Sequence, residues 1–302
     1  EIGSGLVGSE MCIRDSYKSG TPTMGGIAII LAMLTAALIF GKGKFVYITL
    51  AVAFAYGVTG FLDDSIKIRY KRNLGLRPYQ KIILQLSIAL IVAFVVYKNE
   101  LIRGDVYIPF TKNTVSLGWG VIPLVVFIFI ATTNSVNLTD GLDGLAASTT
   151  LVYMAGIAAI IAIVAADADK NGLSLYVKEY QGLLTVCFAT VGSLAGFLLF
   201  NCFPAKIFMG DVGSLALGGV VACVSILGRL SLYIPILGVM FATSAVSDII
   251  QVVHYKRTKR RVFLMAPFHH HLQKKGLSET RIGFLYSTIT GIVALICVLT
   301  LI

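Results

Sequence analysis

The sequence predicts an all-α polytopic integral membrane protein of about nine transmembrane helices with one small extracytoplasmic β-hairpin. Three observations predict it. The 302 residues are 57% apolar and 13% charged, with a mean hydropathy of +0.86, whereas a soluble domain carries about one quarter charged residues. Apolar windows of the about 17–25 residues needed to cross a bilayer recur along the chain. The 25 basic residues fall in the joints between those windows, where topology places them. That distribution accounts for the net charge of +10 and speaks against nucleic acid as partner; the partner it implies is a lipid bilayer.

The windows run in order over 24–41, 45–62, 82–98, 119–135, 144–166, 182–200, 213–228, 232–253 and 282–302. The polar joint GKGK, 41–44, separates the first two, and Asp63 and Asp64 close the second. Between the third and fourth, GDVYIPFTKNTVSLG, 104–118, alternates β-formers around a polar turn, the pattern of a hairpin. NLTDGLDGLA, 137–146, lies between the fourth and fifth, and NCFPAKIFMGDVGS, 201–214, between the sixth and seventh. Five cysteines (12, 187, 202, 223 and 297) are too scattered for a disulfide framework or a zinc motif, and read as reduced thiols. The first sixteen residues, EIGSGLVGSEMCIRDS, carry neither a signal-peptide core nor a span. They are expected to be an anomalous leader, separate from a single transmembrane domain over 17–302.

Parity then orders the loops. The polar stretches 17–26, 63–81, 134–144, 201–214 and 254–281 are each separated from the next by two spans, so all five emerge on one face. That face holds sixteen basic residues and the opposite loops eight, which makes it cytoplasmic. Nine spans put the termini on opposite sides; a tenth at the front would bring them together.

Each stretch on that face has an ordinary reading and a chemical one. In FLDDSIKIRYKRN, 61–73, Lys67 and Lys71 follow Asp63 at helical spacing. Ion pairs on a juxtamembrane helix would explain this, as would a carboxylate pair beside cations for a metal and a polyphosphate. Asp140 and Asp143 in NLTDGLDGLA fit a helix N-cap, and equally a ligand site that glycines let the backbone approach. Asp211 lies between glycines at the mouth of a span, with Lys206 and Phe208 close by. KSGTPTMGG, 18–26, offers Lys18, Thr21 and Thr23 as phosphate donors, or is a plain helix start. In APFHHHLQKKG, 266–276, adjacent histidines diverge too much for the usual zinc spacing; donation to phosphate or sugar oxygens fits better. HYKRTKRR, 254–261, reads as an anchor at anionic headgroups. Asp248 and Gln251 lie near the same end of the span 232–253.

Taken together, KSGTPTMGG, DDSIK, NLTDGLDGLA, NCFPAKIFMGD and PFHHHLQKKG, in that order over 17–302, resemble the phospho-N-acetylmuramoyl-pentapeptide transferases of the polyprenyl-phosphate N-acetylhexosamine-1-phosphate transferase superfamily. The histidine string resembles that branch rather than relatives acting on other UDP-sugars. The family has ten transmembrane helices, and residues 1–16 resemble nothing in it. The resemblance implies a Mg²⁺-dependent reaction in the bacterial cytoplasmic membrane. Undecaprenyl phosphate attacks the β-phosphate of UDP-MurNAc-pentapeptide to give lipid I and UMP. It implies Asp211 as metal ligand, and Asp63, Asp64, Asp140, Asp211 and His269 as the catalytic set. Lys18, Thr23, Lys67, Lys71, Lys81, Asn137, Asp143, Asn201, Phe208, Gln251, Ala266, His270 and His271 would bind substrate, with Phe208 stacked on uracil. It also implies a homodimer.

In that family Asp63 is the proposed base. A phosphate monoester has a second pKa of about 6 and Asp one of about 3.9, so orienting, deprotonating and nucleophilic roles all stay open. Two rivals remain. One is a sibling transferase using UDP-GlcNAc. The other is a transporter, for which polar groups belong at the membrane midplane rather than at one face.

Overall fold

The computed structural model describes residues 20–70, 75–111 and 113–302. The expectations for the leader 1–16, Lys18 and Lys71 lie outside these residues. Every apolar window has become helix: α1 (Gly26–Phe40), α2 (Lys44–Arg69), α3 (Pro78–Lys98), α4 (Val121–Thr139), α5 (Leu145–Lys170), α6 (Ser174–Asn201) and α7 (Gly210–Leu227). The eighth window is broken. It forms α8 (Ile234–Leu237) and α9 (Val239–Thr258), bent by 77° with Gly238 at the break. Pro235 stands in the first turn of α8, where its missing N–H costs nothing. The short α10 (Phe268–Lys274) precedes α11 (Glu279–Leu299).

Among the described residues seven helices are long and apolar enough to cross a membrane, and the bent pair reads as an eighth. The ninth apolar element, α1, has only 15 residues. At about 1.5 Å per residue it reaches about 22 Å, short of a hydrocarbon core of about 30 Å.

The hairpin forms where alternation predicted it. β1 (Asp105–Tyr107) pairs antiparallel with β2 (Thr114–Ser116), Val106 facing Val115. Arg229, just beyond the end of α7, fastens it. Its Nη2 donates to Asp105 Oδ2 at 3.0 Å, its carbonyl accepts the Tyr107 N–H at 2.8 Å, and its guanidinium lies 5.3 Å over the Tyr107 ring. The hairpin therefore sits at the end of α7 remote from Asp211.

Helix α7 is the centre of the bundle; every side chain from Val212 to Leu227 is buried. Lipid is as apolar as the core, so helix pairing rests on close packing and small residues. Gly60 of α2 shows the constraint: a Cβ there would collide with the Asp211 backbone carbonyl. Buried hydroxyls turn back on their own helices, as in Thr49 to the Phe45 carbonyl (2.8 Å) and Thr133 to the Phe129 carbonyl (2.7 Å). Leu31, Phe54, Ile91, Phe127 and Phe284 are each more than half exposed, a belt that suits lipid tails.

The start of α2 is capped from another helix. Glu179 of α6 is buried, and its carboxylate accepts the backbone N–H of Lys44 at 3.0 Å and of Phe45 at 2.8 Å. The carboxylate also complements the helix N-terminus. Glu179→Gln keeps one acceptor but removes the charge. The expected cost is about 1–2 kcal/mol, read as a lower thermal midpoint in detergent with turnover per folded molecule unchanged; an unaltered midpoint would refute the capping role.

Candidate active site

The C-terminal part of α2 and the first turn of α7 bring three carboxylates together. Asp63 and Asp64 are buried near the end of α2, and one oxygen from each of Asp63, Asp64 and Asp211 lies within 4.8 Å of the others. Gly60 permits this, because it lets α2 rest directly on the backbone of Asp211. Gly75 does the same on the other side: a Cβ there would stand 2.6 Å from the Asp63 carboxyl.

Such a cluster needs cations, and two lysines supply them. Lys67 Nζ lies 2.6 Å from Asp63 Oδ2, 3.0 Å from Asp211 Oδ2 and 3.5 Å from Asp64 Oδ1. Lys81, from the first turn of α3, reaches Asp211 Oδ2 at 2.8 Å. Asn137 Nδ2, near the end of α4, donates to Asp211 Oδ1 and to Ser214 Oγ, both at 2.8 Å. Backbone amides complete the shell: Leu76 N–H donates to Asp63 Oδ1 at 2.8 Å and Val212 N–H to Asp64 Oδ2 at 3.1 Å. Thr23 lies at the rim, since a Cβ on Gly210 would meet Asp64 Oδ2 at 2.6 Å and Thr23 Oγ1 at 3.1 Å. Four helices thus converge on one carboxylate, Asp211.

Asp140 is the residue that closes α4. Its carboxyl is held well above the usual carboxylate range, first by burial and then by the negative charges of Asp211, Asp64 and Asp143. It is not one of the three carboxylates that cluster.

Asp143 belongs to a second web beside the first. Its Oδ2 accepts the Ala205 N–H at 3.0 Å, and its own N–H donates to Glu279 Oε2 at 3.1 Å. Gly144 N–H donates to Asn201 Oδ1 at 3.1 Å, while Asn201 Nδ2 donates to the Ile207 carbonyl at 2.9 Å. Phe208 is tied to the KSGTPTMGG segment, with its N–H donating to the Pro22 carbonyl and its carbonyl accepting from Gly25, both at 2.8 Å. His269 and His270, both buried, point Nε2 at Gly141, where an added Cβ would lie 3.1 Å from the His270 atom and collide with the His269 atom. His270 Nδ1 meets Gln273 Oε1 at 3.2 Å, and Gln273 Nε2 donates to Glu279 Oε1 at 3.3 Å. All five polar stretches of one predicted face are therefore in contact at one end of the bundle.

Some expected site residues have other business here. Gln251 is fully buried and its amide is committed: Oε1 accepts the Val262 and Phe263 N–H groups and Nε2 donates to the Phe263 carbonyl, each at 3.0 Å. It latches the loop before the histidines. Ala266 is buried in that same loop, and His271 Nδ1 accepts the Leu264 N–H at 3.1 Å. Lys206 lies elsewhere, on an apolar groove of about 500 Å³ between α1 and α6 that Pro22 and Ile207 also line. Sequence reasoning missed Ser214, Gln273 and Glu279. Glu279 follows a helix-capping serine, Ser278, whose Oγ accepts the Arg281 N–H at 3.4 Å, and an acid in the first turn of a capped helix carries no signal of a further role.

His269 gives a pH prediction. Burial first, and the neighbouring His270 second, hold its imidazole well below the usual histidine range. The unfolded chain binds a proton near the ordinary pKa of about 6.5 that the folded chain refuses. Its contribution is complete above that pH and is lost as pH falls below it. The parent chain's thermal midpoint should fall more steeply than that of His269→Phe between pH 7 and pH 5. Parallel profiles would rule this out.

The three carboxylates present hard oxygen donors of the kind a divalent cation such as Mg²⁺ accepts. The Lys67 ammonium touching all three shows that the pocket is built around positive charge. The residues fit such an ion.

Comparison with known proteins gives consistent results. Residues 45–229 match the model of glycosyl transferase family 4, and residues 18–30 match the phospho-N-acetylmuramoyl-pentapeptide-transferase signature 1. The chain is 42% identical over 287 residues to the phospho-N-acetylmuramoyl-pentapeptide-transferase of Clostridium novyi (strain NT), covering 94% of this chain and 84% of that protein. It is 42% identical over 283 residues to the enzyme of that name from Clostridioides difficile (strain 630), covering 93% and 84%. The Bacillus mycoides (strain KBAB4) enzyme is 45% identical over 270 residues, covering 88% and 79%.

Proposed function

Because the chain belongs to glycosyl transferase family 4, in its phospho-N-acetylmuramoyl-pentapeptide-transferase branch, we propose that the carboxylate cluster at the head of α7 is its reaction centre. The enzyme transfers phospho-MurNAc-pentapeptide from UDP-MurNAc-pentapeptide to undecaprenyl phosphate, forming lipid I and UMP in peptidoglycan synthesis. An oxygen of the lipid phosphate bonds to the β-phosphorus of the donor. The bond from that phosphorus to the bridging oxygen breaks, and UMP leaves with the oxygen. One substrate is confined to the bilayer and the other to water. A site at one end of a helical bundle serves both, and the excess of basic residues in the loops there supports reading it as the cytoplasmic end.

The observation that carries this reading is the convergence of Asp63, Asp64, Asp211, Lys67 and Lys81 within ion-pair distance. Asp211, with Asp63 and Asp64, would hold Mg²⁺, which when bound supplies charge neutralisation for the two approaching phosphates. Lys67 and Lys81 add positive charge from the protein, and Asn137 fixes the orientation of Asp211. A phosphate monoester is largely ionised at neutral pH and leaves Asp63 little proton to remove; Asp63, which accepts from Leu76 N–H and meets Lys67, orients Lys67 and the 75–77 backbone. Asp140, at the end of α4, would stand beside the metal and phosphates. His269 and His270 pack against the Gly141 backbone beside Asp140 and would shape the wall of the donor-phosphate side. Thr23, close to Gly210, and Phe208, tied by its backbone to Pro22 and Gly25, would form the nucleoside side of the site.

A UMP-release assay with undecaprenyl phosphate and either donor tests this. Release with UDP-MurNAc-pentapeptide and little with UDP-GlcNAc is expected. Preference for UDP-GlcNAc would overturn the donor assignment, and solute flux in proteoliposomes without UMP release would favour a transporter.

A further inference from the structure

About one helical turn inside the bundle from the reaction centre, α3 and α4 are joined by a side-chain amide pair. Asn134 Nδ2 donates to Gln85 Oε1 at 2.8 Å, and Gln85 Nε2 returns toward Asn134 Oδ1 at 3.5 Å. Asn134 Nδ2 also reaches the Ile130 carbonyl of its own helix at 2.8 Å. Gln85 is fully buried, and its backbone carbonyl accepts the Tyr56 hydroxyl of α2 at 3.2 Å. Tyr56 is itself buried and stacked on Phe129 of α4, ring centroids 5.8 Å apart. One small polar network therefore ties α2, α3 and α4 at a single level.

The spacing links that level to the chemistry. Gln85 is four residues from Lys81 on α3, and Asn134 is three from Asn137 on α4, so each pair shares a helix face. Lys81 and Asn137 each grip one oxygen of Asp211 at 2.8 Å, Oδ2 and Oδ1 respectively. A slide or rotation of α3 against α4 would part Lys81 from Asn137, and neither could keep its hold on a carboxylate fixed on α7. Apolar packing resists such a slide weakly, because one methyl contact is much like the next. A reciprocal amide pair in an apolar interior is satisfied in one register only, and any other leaves buried donors unpaired.

We propose that Gln85 and Asn134 are positioning residues: their amide pair sets the register of α3 against α4 and so aims Lys81 and Asn137 together at Asp211. This rests on the reading of Asp211 as part of the reaction centre. Neither residue touches the cluster itself.

Three variants test it: Asn134→Leu, Gln85→Leu with Asn134→Leu, and the exchange Gln85→Asn with Asn134→Gln. Asn134→Leu leaves Gln85 unpaired; kcat for UMP release should fall about 10- to 100-fold, with KM for the nucleotide donor within about twofold. The double leucine variant removes both polar groups, so its thermal midpoint should return toward that of the parent while kcat stays low. The exchange restores an amide pair and should restore kcat. Recovery of kcat in the double leucine variant, or unchanged kcat in Asn134→Leu, would overturn the proposal.

Failure of the parent chain itself to release UMP would count against the functional reading. Register would then be decided by hydrogen exchange. Faster exchange across Lys81–Gln85 is expected in Asn134→Leu and not in the exchange variant, and equal rates in both would overturn the proposal.

Discussion

Asp211→Asn is expected to lower UMP release by about 10³-fold while leaving the protein folded. The aspartate is the one group in the cluster that Lys67, Lys81 and Asn137 all contact. Asparagine matches its shape, so α2, α3, α4 and α7 retain their packing and Asn137 still finds an oxygen. What disappears is the charge. An amide is a weak partner for two ammonium groups and a poor ligand for a hard divalent cation. The two phosphates would then approach each other with less neutralising charge between them. Turnover is read as UMP release, and folding as the thermal midpoint. Near-normal turnover would remove Asp211 from the chemistry.

Lys67→Met should have the second largest effect, in two separable parts. Two carboxylates about 4 Å apart repel by roughly 4 kcal/mol at an effective dielectric of about 20. The Lys67 ammonium, within 3.5 Å of all three carboxylates, relieves that repulsion. Methionine fills similar space without charge, leaving Lys81 as the one remaining lysine in contact with the cluster among the described residues. The thermal midpoint should therefore fall in EDTA and rise again on adding Mg²⁺, by more than it does in the parent. Turnover should fall about 10²-fold even with Mg²⁺, because the lysine is also proposed to meet the incoming phosphates. A midpoint indifferent to divalent cation in the variant would show that the carboxylates do not form a cation site.

Much of this molecule was legible in the sequence, for identifiable physical reasons. A bilayer imposes a length and an apolar composition on each span, so the windows and their parity could be read directly. Parity alone brought KSGTPTMGG, DDSIK, NLTDGLDGLA, NCFPAKIFMGD and PFHHHLQKKG to one end, and the contacts of Gly25 with Phe208, Lys67 with Asp211 and Gly141 with His269 agree. The 77° bend at Gly238 was not legible, since an interrupted span has the same composition as a straight one. Nor was the commitment of Gln251, whose polar atoms at a span end looked available until the loop 262–263 closed on them. Gln85 and Asn134 escaped notice because one amide in an apolar run says nothing about which helix it faces.

Asp63, Asp64 and Asp211 are proposed to form one cation site at which the transfer occurs. Mn²⁺ titration followed by electron paramagnetic resonance tests it without turnover. The parent chain should bind one Mn²⁺ that Mg²⁺ displaces, and Asp211→Asn should lose that site while keeping its thermal midpoint. Equal Mn²⁺ binding by the two chains, or none by the parent, would contradict the claim.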